Sequence, residues 1–133
     1  MASGASIASM EIRIGKGLRR LEVAKEAHLL VKMIYEVTRV FPRDELFGLT
    51  SQLRRAVVSV PTNIIEGQAR VSNKEFLNFL NIANGSLVEV EYLLGLSLDL
   101  EYLKREDYEK IESQRRKVAV YLTRFIHSVR KNH

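Results

Sequence analysis

The stretch QLRRAVVSVPTNIIEGQAR, residues 52–70, decides how the rest of the chain is read. Leu53, Val57, Val60 and Ile64 recur at steps of three and four, the spacing of one helix face, yet Pro61 stands among them. An interior proline lacks the N–H of a helical hydrogen bond and crowds the carbonyl four residues earlier. The apolar stripe nevertheless holds its period across it, and Leu46 and Leu49 extend it upstream. One helix bent at Pro61 is therefore expected. Pro42 can open it, with Asp44 and Glu45 near its positive end, and Gly67 is a reasonable stop.

Working outward, Ala27, Leu30, Ile34, Val37 and Phe41 form the stripe of an earlier helix, with a mixed second stripe of Leu21, Ala24, His28, Val31, Tyr35 and Thr38. Phe41-Pro42 ends it, because the residue before a proline is pushed out of the helical region. Downstream, Ser72 to Glu75 (SNKE) matches a capping box. It starts a third helix with Phe76, Leu80, Ala83, Leu87, Val90 and Leu94 on one face. A second line through Phe79, Ile82, Leu93, Leu96 and Leu100 makes this surface wider than one packing stripe requires. It suits either a central helix touching two neighbours or a helix that also meets another subunit, with Gly85-Ser86 allowing close backbone approach. A fourth helix carries Tyr108, Ile111, Val118, Leu122, Phe125 and Val129. Helices of roughly 20 to 30 residues span about 30 to 45 Å, and short connections make neighbours antiparallel. The predicted fold is all-α, an antiparallel up-down four-helix bundle over residues 19–133, after a flexible N-terminal segment, 1–18, in which Met10 is a second candidate start.

The 133 residues are one domain by length, and 46% apolar composition suffices for a core. Absence of cysteine excludes disulfides and thiolate metal sites and fits the cytoplasmic location expected here. No run of about 18 apolar residues exists to cross a membrane, and the first residues lack the basic start and apolar stretch of a signal peptide. The net charge is +5, unevenly spread. Residues 73–103 hold one basic and five acidic side chains, residues 104–133 nine basic and four acidic, with no acid beyond Glu112. Such a balance favours nucleic acid or an acidic partner.

Two sets of residues invite a functional reading. On the second helix Gln52, Arg55, Ser59, Asn63, Glu66 and Arg70 share one side. Amphipathic helices have polar faces, which is the simpler account, but serine and asparagine are poor residues for an exposed helix interior. Ser59 lies near the turn that Pro61 disturbs, where its hydroxyl could satisfy a freed carbonyl. These residues are assigned to structure first and binding second. On the fourth helix Lys110, Lys117, Arg124 and Lys131 repeat every seven residues, flanking the core stripe and facing out, with Arg115, Arg116 and Arg130 nearby. They are the expected nucleic-acid contacts, assisted by Arg54 and Arg55 if those reach solvent. A solvated basic face is the simpler alternative. Catalysis has little support. His28, His127 and His133 show no metal-binding spacing, Glu66 with Asn63 and Arg70 supplies too few carboxylates for two-metal chemistry, and no glycine-rich phosphate loop exists. No enzyme activity, metal or other cofactor is expected.

The sequence also carries a resemblance. Tyr35, Thr38, Phe41-Pro42, Glu45, Phe47-Gly48-Leu49, Gln52, Arg54-Arg55-Ala56, Ser59, Asn63-Ile64, Glu66-Gly67 and Arg70, followed by Phe76, Phe79-Leu80, Ala83, Gly85-Ser86 and Glu89, resemble the bacterial ribosomal-RNA intervening-sequence family. The likeness spans roughly residues 21–100. Ala24 stands where many members have tryptophan, and Ile65 replaces a small residue. The resemblance implies a four-helix bundle that assembles as a homopentamer. It also implies kinship with the accessory variability determinant of diversity-generating retroelements, a basic pentamer that binds nucleic acid and a reverse transcriptase. It supplies no catalytic residue.

Overall fold

A computed structural model describes residues 18–131. The expected flexible segment, but for its last residue, and the candidate start at Met10 lie outside the described residues, as does His133. Helix α1 runs Leu18–Thr38, α2 Leu49–Gln68, α3 Asn73–Asp99 and α4 Arg105–Lys131. A single 3-10 turn, Arg43–Glu45, lies between α1 and α2, and no strand occurs among the described residues. Each helix packs on those before and after it, and α1 closes against α4. The result is the up-down four-helix bundle expected from the stripes, with α2 and α4 at opposite corners.

The stripes become the core. Leu30, Ile34, Leu53, Ile64, Leu80, Leu87, Leu94 and Leu122 are fully buried, each contributing about 1.5–3 kcal/mol of transfer free energy. Pro61 is buried within an uninterrupted α2. At the start of α3 the serine half of the capping box forms: Ser72 Oγ accepts the Glu75 N–H at 3.1 Å, satisfying one of the free donors of the first turn.

The start and stop of α2 differ from the sequence expectation. Pro42 precedes the 3-10 turn, with the Glu45 N–H donating to its carbonyl at 2.9 Å, and α2 begins seven residues on, at Leu49. Leu46 is consequently exposed rather than in the core. Glu45 still serves the positive end of α2, but from outside it: Oε1 accepts the Leu49 N–H at 2.9 Å. Oε2 accepts the Tyr102 hydroxyl at 2.9 Å. The Leu49 bond first, and the Tyr102 bond second, hold the Glu45 carboxyl below its ordinary pKa. Gly67 does not stop α2 either. It lies inside the helix, where an added Cβ would sit 2.8 Å from Phe76 Cδ1 and 2.9 Å from Phe79 Cβ. Its smallness serves close packing of α3. At Gly85, where a close approach is expected, an added Cβ would meet nothing within 4 Å.

Candidate functional site

The polar side of α2 divides into an inner and an outer part. Ser59 and Asn63 are half-buried against α3. The hydroxyls of Ser59 and Ser86 lie 2.8 Å apart, and Asn63 Nδ2 donates to the Ser59 hydroxyl at 2.9 Å and to its carbonyl at 2.8 Å. The Ser59 hydroxyl is thus spent across the helix pair rather than on a carbonyl beside Pro61. Asn63 and Thr62 make the side-chain bonds to α2 carbonyls instead, Thr62 Oγ1 donating to Val58 O at 2.7 Å. Gln52, Arg55, Glu66 and Arg70 remain exposed, the Arg70 guanidinium lying 4.6 Å from the centroid of the Phe79 ring.

Arg54, read as a candidate nucleic-acid contact, points to α1. Its Nε donates to Thr38 Oγ1 at 2.9 Å, its Nη2 to Tyr35 O at 3.4 Å, and its guanidinium lies 4.6 Å from the Tyr35 ring centroid. It covers the negative end of α1, a position where a cation stabilises a helix. Arg55 is free of that arrangement and exposed.

On α4 the structure separates one cation from the rest. Arg115, expected on the basic surface, is 7% exposed. Its Nε and Nη2 donate to Glu112 at 2.8 and 2.6 Å, with Glu91 of α3 3.5 Å from Nη2. The hydrogen bonds to Glu112 keep the guanidinium above its ordinary pKa despite burial. This paired, desolvated group is a strut between α3 and α4 and is not presented to a ligand. Lys110, Arg116, Lys117, Arg124, Arg130 and Lys131 are exposed. Two of them have carboxylates near: Glu26 Oε2 lies 3.5 Å from Lys117 Nζ and Glu112 Oε2 3.8 Å from Arg116 Nη1. The Lys117 and Arg116 side chains nevertheless stay 48% and 61% exposed, so these contacts do not remove the positive face.

Beside that face lies a groove of about 610 Å³ between the start of α1 and the end of α4, lined by Glu22, Val23, Tyr121, Arg124, His127, Ser128 and Lys131. Sequence reasoning misses Tyr121, which belongs neither to the apolar stripe nor to the cations. Its spacing, four after Lys117 and three before Arg124, is the available signal. A second groove of about 610 Å³ runs between α1 and α2 past Tyr35, Leu46, Phe47, Arg55 and Val58. Phe47 beside it is 93% exposed. On α3, Ile82, Val88 and Tyr92 are exposed as well. Among the described residues no three His, Asp or Glu side chains gather as a metal site, and no helix is long and apolar enough to cross a membrane.

These features define a class: a small all-α bundle with a cationic outer helix and exposed apolar side chains on α3 and just before α2. The chain belongs to the 23S rRNA-intervening sequence protein family, whose model matches residues 19–124. It is similar to a crystal structure of a protein of unknown function from the S23 ribosomal protein family of Bacteroides thetaiotaomicron, with a TM-score of 0.74 and 27% identity over 83% of this chain and 99% of that one. No curated protein matches it.

Proposed function

We propose that this protein is a non-enzymatic homo-oligomer, pentameric as the family resemblance implies, that binds RNA or DNA through the outer face of α4. The observation that carries the reading is the run from Ser113 to Lys131, which holds no carboxylate and exposes Arg116, Lys117, Arg124, Arg130 and Lys131. Phosphate attraction needs only such a field, without base-reading side chains. Assembly is supported by Phe47, Ile82, Val88 and Tyr92, large apolar side chains that a lone bundle leaves in water. Phe47 lies just before α2 and the other three on α3, outside the cationic run of α4. Symmetry then multiplies a weak patch by avidity, without new contacts.

Filter binding to mixed RNA and DNA at low and raised salt tests this. Binding is expected to weaken steeply with salt, log affinity falling about 0.7–0.9 per neutralised phosphate against log salt. Charge reversal at Lys117, Arg124 and Lys131 is expected to abolish it. Binding that survives reversal overturns the α4 assignment, and a light-scattering mass of one chain at micromolar concentration removes the avidity argument. The exposed apolar side chains also support a second reading, in which a different polypeptide covers them and the protein is an accessory subunit of a reverse transcriptase. Co-purification of such an enzyme from the source cells would favour that reading.

A further inference from the structure

We propose that the groove between the start of α1 and the end of α4 is a site for an unpaired nucleobase, with Tyr121 as its stacking surface. The proposal rests on the nucleic-acid reading above and narrows it to single strands. Space is the first support: about 610 Å³ falls within the roughly 300–1,000 Å³ of sites that enclose small molecules. A ring in the right company is the second. Tyr121 is half-buried in the wall of the groove, with Lys117 Nζ 5.9 Å from its ring centroid and Arg124 one turn further along the same flank. An aromatic face with cations on either side is the arrangement that single-stranded nucleic acid uses, because every base has a π face to stack and a phosphate to neutralise.

The third support is the sign of the opposite wall. Glu22 of α1 lines the same groove, and a carboxylate only accepts hydrogen bonds. It repels a phosphate but can receive the N–H groups of a base edge. A ligand therefore enters one way round, with phosphate toward Arg124 and Lys131 and base on Tyr121 toward Glu22. A duplex cannot do this, because its bases are stacked inside. A single strand splays a base out at far smaller cost.

The test compares a short single-stranded RNA with the duplex of the same sequence, by fluorescence anisotropy at low salt. Tyr121→Leu keeps an apolar side chain in the wall and removes the ring, and Tyr121→Phe keeps the ring. Single-strand affinity is expected to fall about tenfold in the leucine variant, to recover in the phenylalanine variant, and duplex affinity to stay unchanged in both. A 4-thiouridine strand irradiated on the unaltered protein is expected to cross-link to the peptide holding Tyr121, which decides the matter should the leucine variant not fold. Cross-links confined to other peptides, or single-strand and duplex affinities that move together, overturn the groove. If salt-sensitive binding persists while Tyr121→Leu changes nothing, the groove alone falls. If neither strand nor duplex binds, the nucleic-acid reading fails and takes the groove with it.

Discussion

Two seams of this bundle are closed by different means. Between α2 and α3 the residues are small: Gly67 sits under Phe76 and Phe79, and Ser59 meets Ser86 hydroxyl to hydroxyl at 2.8 Å. Between α1 and α4 they are long. Gln114 Nε2 donates to the Glu26 carbonyl at 2.9 Å and to its Oε1 at 2.8 Å, Lys117 reaches the same carboxylate, and further along the two helices border a groove. Small side chains let the neighbouring helix come close; long ones reach across the seam to Glu26, and Arg124 and Lys131 further along stay exposed. Whether a polar residue is structural or free thus depends as much on what faces it as on its own chemistry.

Arg115 gives that comparison its largest test, because it is a cation on the free helix treated as interior. Arg115→Ala leaves the buried Glu112 with only the longer contact to Arg116 at 3.8 Å and is expected to cost up to about 3–5 kcal/mol, while nucleic-acid affinity per folded molecule stays unchanged. Arg124→Ala is expected to do the reverse, and urea denaturation run beside anisotropy checks both. A weaker binder of unaltered stability at position 115 would erase the distinction. Gly67→Ala comes next. Alanine gains about 1 kcal/mol of helix propensity, but its Cβ meets Phe79 Cβ, which cannot swing aside. Overpacking of about 1–3 kcal/mol is expected to win, lowering the melting temperature; a rise would show that the α2–α3 seam has slack. The smallest effect is the hydroxyl pair. A double-mutant cycle of Ser59→Ala and Ser86→Ala is expected to give a coupling of about 1 kcal/mol, whereas strictly additive losses would mean that the two serines act independently.

The fold was legible because its signals are local and periodic. Leu53, Val57, Val60 and Ile64 keep their phase across Pro61, and Ser72 with Glu75 announces the start of α3. The errors at α2 came from residues whose usual habits were overruled by tertiary neighbours. Pro42 can begin a helix, but here the chain first makes the turn that lets Glu45 reach both Leu49 and Tyr102. Gly67 resembles a terminator, and only the rings of Phe76 and Phe79 reveal it as a packing residue. The candidate site was legible as charge and illegible as shape. Lys110, Lys117, Arg124 and Lys131 could be placed outside from spacing alone. Arg115 could have been withdrawn from them, because it fills the step between Ile111 and Val118 in the apolar stripe of α4; its charge hid that position, and the three-residue step to Glu112 names the partner that lets it be buried. The groove required knowing that Glu22 faces Tyr121, nearly a hundred positions away.

Glu45 has one more consequence. By holding Leu49 and Tyr102 together, and with the Phe41 and Tyr102 rings 5.6 Å apart, it pins the α1–α2 and α3–α4 connections to each other at one pole of the molecule. The first turns of α1 and the last of α4 lie at the other pole, beside the groove. The molecule is thus fastened by polar and aromatic contacts at the pole remote from its groove.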